Sequence, residues 1–130
     1  MKPTIYVAMS YRGNDGDIET NVMIATRTHR ILCELFPQVE WVLPHTHPRL
    51  ATYNEQVASG AITEDDVFPN CFKLVRECDG FLMVGDISEG VDLEQVVASW
   101  ADMPIMHMLD IDSEEEREDL ARFLYTHNIV

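Results

Sequence analysis

Four short, almost continuous apolar runs alternate with longer stretches of helical periodicity, and this alternation constrains the fold more than any other feature. The runs are Ile5 to Met9, Val39 to Leu43, Phe81 to Val84 and Pro104 to Leu109. A strand apolar on every residue, rather than on alternate ones, is covered on both faces. Between the first two runs, Ile24, Ile31 and Leu35, with Met23 and Leu32 beside them, recur at helical spacing. Asp17 or Thr20 can open that helix, and Pro37 ends it. A short helix over residues 50–59 is closed by Gly60. Thr63-Glu64-Asp65-Asp66 then caps a helix carrying Phe68, Phe72, Leu74 and Val75. Further helices are predicted from about Val91 to Trp100 and over about 113–126, the last opened by Asp112 or Ser113 with acids in its first turn.

The order is β-α-β-α-α-β-α-β-α. Strands alternating with helices predict one parallel sheet of four to five strands with helices on both faces, in a flavodoxin-like or Rossmann-like α/β domain. The chain has 130 residues, one domain's worth, with no linker or repeat. Ligands of such folds bind beyond the carboxyl ends of the strands. The loops after the first three strands, 9–16, 44–49 and 85–92, therefore carry the functional information.

Charge narrows the partners. Asp and Glu number 23 against 9 Lys and Arg, a formal net charge of −14. Such a surface repels phosphate backbones and anionic membranes, so neither a nucleic-acid polymer nor a membrane is an expected partner. A small anion remains admissible where backbone N–H groups and an arginine override the global field. The three cysteines form no CxxC pair and point to a reducing cytoplasm, with Cys33 expected as a small core residue. The first apolar run is too short for a signal peptide, and no run approaches a membrane span.

Within the first loop, Ser10, Arg12, Gly13 and Gly16 suit a phosphate, although neither a Walker nor a GxGxxG pattern is present. In the third loop Ser88 can cap the following helix, Gly90 allows a tight turn, and Glu94 falls within about a turn of the helix start. A carboxylate there could attack an anomeric carbon or stabilise an oxocarbenium-like centre. His45 and His47 form an HxH pair with no third ligand in sight, so no metal is assigned, and no cofactor is required. His107, among apolar neighbours, reads as a core residue. Met103, Met106 and Met108 with Trp100 read as core or interface.

The segments Ile5-Tyr6-Val7-Ala8-x-Ser10-x-Arg12-Gly13, Pro44-His45, Cys78-Asp79 and Ser88-x-Gly90-Val91-x-x-Glu94 together resemble the nucleoside 2-deoxyribosyltransferase family. The pattern is most similar to the branch of 2'-deoxynucleoside 5'-monophosphate N-glycosidases and related small phage and bacterial proteins. The resemblance spans about residues 4 to 109. It implies cleavage or transfer of the N-glycosidic bond of a (deoxy)nucleoside or its 5'-monophosphate. Glu94 would be the nucleophile at C1', and Tyr6 would orient it. Ser10, Arg12 and Gly13 would cradle the 5' end with Ser88 and Gly90, while His45 and Asn70 would lie toward sugar and base. It also implies a homodimer.

Serine six residues before the glutamate matches the monophosphate branch, where an aspartate would repel the phosphate. Three positions depart from the family pattern. Cys71, beside Asn70, stands where the family has an aspartate that protonates the leaving base, and a thiol is a poor acid for that task. Met9 and Asp92 stand where the pattern has glycine. These departures keep a second expectation open: a nucleotide-binding protein, sensing or sequestering, without turnover.

Overall fold

In a computed structural model, which describes residues 2–11 and 17–130, the apolar runs pair into one parallel sheet. Its strands are β1 (Thr4–Ala8), β2 (Glu40–Val42), β3 (Gly80–Val84) and β4 (Ile105–Met108), in the order β2-β1-β3-β4. The helices are α1 (Ile18–Leu35), α2 (Ala51–Ser59), α3 (Phe68–Glu77), α4 (Glu89–Trp100) and α5 (Glu114–Thr126). The architecture is the flavodoxin-like α/β arrangement expected from the alternation. Tyr6 is in register with Val42 on one side and Phe81 on the other, and Leu82 with Met106.

The central strands are buried on both faces, which explains their unbroken apolar character. Ile5, Val7, Leu82 and Val84 join Ala25 and Leu32 of α1 and Leu120 and Leu124 of α5 in one core. Tyr6, Ala8, Phe81 and Met83 face the other way, toward Val57 of α2, Leu74 and Val75 of α3, and Val91 and Ala98 of α4. On that second face the Tyr6 and Phe81 rings stack across the strands, with centroids 5.6 Å apart and planes nearly parallel. At the start of the sheet, Asp79 accepts hydrogen bonds from the Thr4 amide and hydroxyl. Among the described residues no helix is long and apolar enough to cross a membrane.

Caps bound the helices, with some shifts from the sequence reading. Asp17 accepts from the Thr20 amide at 3.0 Å and opens α1, and Ser113 accepts from Glu116 and opens α5. Gly60, at φ +82°, closes α2. A 3-10 turn over Pro48–Leu50, capped by His47, precedes α2. Residues 64–66 form a separate 3-10 turn, clamped by Asp66 accepting from Thr63, rather than the first turn of α3, which begins at Phe68 next to Pro69. Because Ser88 supplies the cap, α4 begins at Glu89, two residues before the expected Val91.

Three burial expectations are corrected. Helix α1 packs through Ala25, Thr28 and Leu32, while Met23 and Ile24 are 66% and 51% exposed. The small Ala25, and Thr28 with its hydroxyl satisfied by the Ile24 carbonyl, form the buried stripe of the helix with Leu32. That rotation carries Met23 and Ile24 outward, and it carries Cys33 to the surface instead of the core. His107 is likewise exposed, because β4 is an edge strand, and its Nε2 bonds to the Gly85 carbonyl at 2.7 Å. Of the candidate core-or-interface set, Met108 is fully buried and Trp100 is 84% exposed.

This placement of α1 is testable. Leu32→Ala is expected to lower unfolding free energy by about 2–5 kcal/mol, whereas Ile24→Ala should change it by less than about 0.5 kcal/mol. Urea denaturation of both variants checks the pair.

Candidate active site

The strand order reverses between β1 and β3, and the crevice beyond their carboxyl ends is where a sheet of this kind offers a ligand site. A pocket of about 60 Å³ opens there, with room for about four or five waters. Its lining brings together Met9, following β1, Pro44 and His45, following β2, Asn54 and Val57 of α2, Phe68 and Cys71 of α3, and Glu94 of α4. The walls are mostly apolar. Among the described lining residues, Glu94 is the one carboxylate.

Glu94 sits in the second turn of α4 and is 6% exposed. Its Oε2 accepts a hydrogen bond from the hydroxyl of Tyr6, which is fully buried in the centre of β1. Burial raises the Glu94 carboxyl to about 7, and the Tyr6 hydrogen bond opposes that rise. Tyr6 is pushed well above its ordinary range, first by burial and then by the neighbouring Glu94 charge, so it stays a donor at physiological pH. The Cys71 thiol lies against the same hydroxyl. Burial, and then the Glu94 charge, push it up to about 12, so it carries its proton. The group that ionises in this pocket near neutrality is the carboxylate, not the thiol.

The surrounding loops are tied to this pair. His45 is 8% exposed, and its ring meets Tyr11 at 5.6 Å. Its Nε2 donates to the Ser10 carbonyl at 3.1 Å. The Asn54 amide donates to the carbonyls of Pro44 and His45, and the Tyr11 hydroxyl donates to the Asn54 carbonyl. Ser10 also reaches the Asp86 carbonyl, at 3.4 Å, joining the first loop to the third. Gly85 turns the chain out of β3 at φ +85°.

The sequence candidates are distributed unevenly. Tyr6, Glu94 and His45 converge, with Cys71 beside them. Ser88 caps α4, accepting from the Val91 amide, and lies outside the pocket wall together with Ser10 and Asn70. Gly90 lies in the first turn of α4 rather than in a tight turn. A side chain there would press within 3.1 Å of the Phe68 ring, so its smallness lets α4 approach α3. Arg12 and Gly13 lie outside the described residues. His47 spends its Nδ1 on the Arg49 amide. Sequence reasoning missed Tyr11, Asn54 and Phe68. Only Tyr11, beside Ser10 in a strand-terminal loop, carried a positional signal.

A buried carboxylate with a raised pKa destabilises the fold when it ionises. The unfolded glutamate titrates near 4.5 and the folded one near 7. The folded chain therefore holds the extra proton between these values, and stability falls as pH rises through that window. Glu94→Gln is expected to be more stable than the wild type above pH 7, by up to about 3 kcal/mol. The advantage should vanish below pH 4.5. Denaturant titrations across pH measure it.

Neither a family model nor a curated protein matches this chain.

Proposed function

We propose that the chain cleaves or transfers the N-glycosidic bond of a nucleoside or its 5'-monophosphate, with Glu94 as nucleophile. The observation that carries this reading is the buried Tyr6–Glu94 pair at a small apolar pocket, at the crevice where strand order reverses. The resemblance of Tyr6, Ser10, Ser88 and Glu94 to the nucleoside 2-deoxyribosyltransferase pattern adds the substrate class. In this scheme a Glu94 oxygen forms a bond to C1' as the C1'–N bond breaks through an oxocarbenium-like transition state. The base leaves with the bonding electron pair and takes a proton from solvent water. Water, or a second base, then attacks C1' and frees the glutamate. Tyr6 holds the carboxylate in place and lowers its pKa, keeping a reactive fraction ionised at neutral pH.

The 5' end is assigned to Ser10, Arg12, Gly13 and Ser88. In support, Ser10 reaches the third loop, and Ser88 stands at the N-terminus of α4 with its hydroxyl hydrogen uncommitted to Val91. A homodimer is part of the same proposal. Leu93, Val96 and Trp100 share one face of α4 and are 41%, 41% and 84% exposed.

A second reading, a nucleotide-binding protein without turnover, is favoured by Cys71. The thiol, held at about 12, cannot deliver a proton to a leaving base as a carboxyl would. No second acid lines the pocket among the described residues.

Chromatography of free base after incubation with nucleosides and 5'-monophosphates separates the readings. The wild type is expected to release base, with a rate that rises through pH 7 as Glu94 ionises. Glu94→Ala should reduce that rate at least about a thousand-fold. Binding seen by calorimetry with no base released from any substrate would establish the second reading. Light scattering is expected to give a dimer mass, reduced to the monomer by Trp100→Glu.

A further inference from the structure

His45 carries a polar atom that no described residue uses. Its Nδ1 is buried and has no hydrogen-bond partner among the described residues. Buried polar atoms are nearly always satisfied, and an exception on a residue that lines a pocket calls for an explanation.

The tautomer follows from the other nitrogen. Nε2 faces the Ser10 carbonyl at 3.1 Å, and a carbonyl only accepts, so Nε2 bears the hydrogen. Burial holds the ring below its ordinary pKa, hence neutral at physiological pH, although the Ser10 carbonyl opposes that shift. Nδ1 is therefore a bare lone pair. The ring cannot easily turn to satisfy it. Its backbone carbonyl is held by Asn54, its Nε2 by Ser10, and its face by Tyr11.

None of the described pocket residues donates to that lone pair. Asn54 spends its amide hydrogens on two backbone carbonyls, and Tyr6 donates to Glu94. Most of the remaining wall is apolar. We infer that His45 Nδ1 accepts a hydrogen bond from the bound ligand, so that the pocket selects molecules presenting an O–H or N–H group at that point. An analogue with only C–H or an acceptor there leaves the lone pair buried and unpaired, which is the costly way to bind. The inference rests on the nucleoside reading of the pocket. It adds that one particular donor of the nucleoside, a sugar hydroxyl or a base amino group, is read by a neutral histidine.

The test follows the His45 nitrogens by NMR in the full chain labelled with ¹⁵N-histidine. The free wild type is expected to show hydrogen on Nε2 and a bare Nδ1. Hydrogen on Nδ1 instead would overturn the inference. Glu94→Gln, in which the ligand persists, is then titrated with 2'-deoxyadenosine, whose donors are the 3'-hydroxyl, the 5'-hydroxyl and the base amino group. Three analogues each lack one donor: 2',3'-dideoxyadenosine, 2',5'-dideoxyadenosine and purine 2'-deoxyriboside. Upfield movement of Nδ1 is expected with 2'-deoxyadenosine and with two of the analogues. The third should leave Nδ1 unmoved and bind about 5- to 150-fold more weakly, and its identity names the donor. Binding of all four with Nδ1 unmoved would sink the inference and leave the nucleoside reading intact. Binding of none would sink both.

Discussion

The hydrogen bond from Tyr6 to Glu94 is the interaction around which the rest of the site is organised. It places a carboxylate with no cationic partner among the described residues against the innermost strand of the sheet. A bare carboxylate at that depth is expensive. The tyrosine hydroxyl and partial protonation near neutrality are what make it tolerable. For the bond to exist, β1 must be central, its even-numbered residues must face the α2–α4 layer, and α4 must lie close to that layer. The last condition is met at Gly90, where the helix comes near the Phe68 ring.

The same depth sets the chemistry available. Burial raises carboxyl and thiol alike, but from different starting points. Glu94 lands near 7, within reach of neutral pH, whereas Cys71 lands near 12 and keeps its proton. The pocket thus holds one group that changes charge under ordinary conditions, in a chain whose net charge of −14 disfavours anions elsewhere. An anionic 5' end would have to rely on local donors, and Ser88 at the start of α4 is placed to be one of them.

Much of this was legible in the sequence where the physical rule is local. Unbroken apolar runs identified the buried parallel strands, and caps such as Asp17 and Ser113 identified helix starts. Glu94 was reachable because it lies near the start of the helix that follows a strand, whereas Tyr6 as its partner and His45 as a pocket residue came from the family resemblance. Asn54 and Phe68 were reachable by neither route. They enter the pocket from helices α2 and α3, and nothing along the chain says which turn of those helices reaches the crevice. Periodicity likewise predicted an amphipathic α1 but misplaced its buried stripe. Ile24 is more apolar than Thr28, yet Thr28 is the buried one, its hydroxyl satisfied within the helix by the Ile24 carbonyl.

The sequence by itself determined the α/β alternation and the parallel sheet, because strand and helix periodicities are properties of neighbouring residues. It also determined which loops would gather at one end, since parallel strands all deliver their carboxyl ends to the same side. The tertiary structure alone decided that Tyr6 donates to Glu94 across 88 residues of chain, that Cys71 is held protonated beside them, and that His45 is buried with a lone pair no described residue meets. Each of these depends on distances between remote segments and on exclusion of water. Both are set by packing, not by the order of residues along the chain.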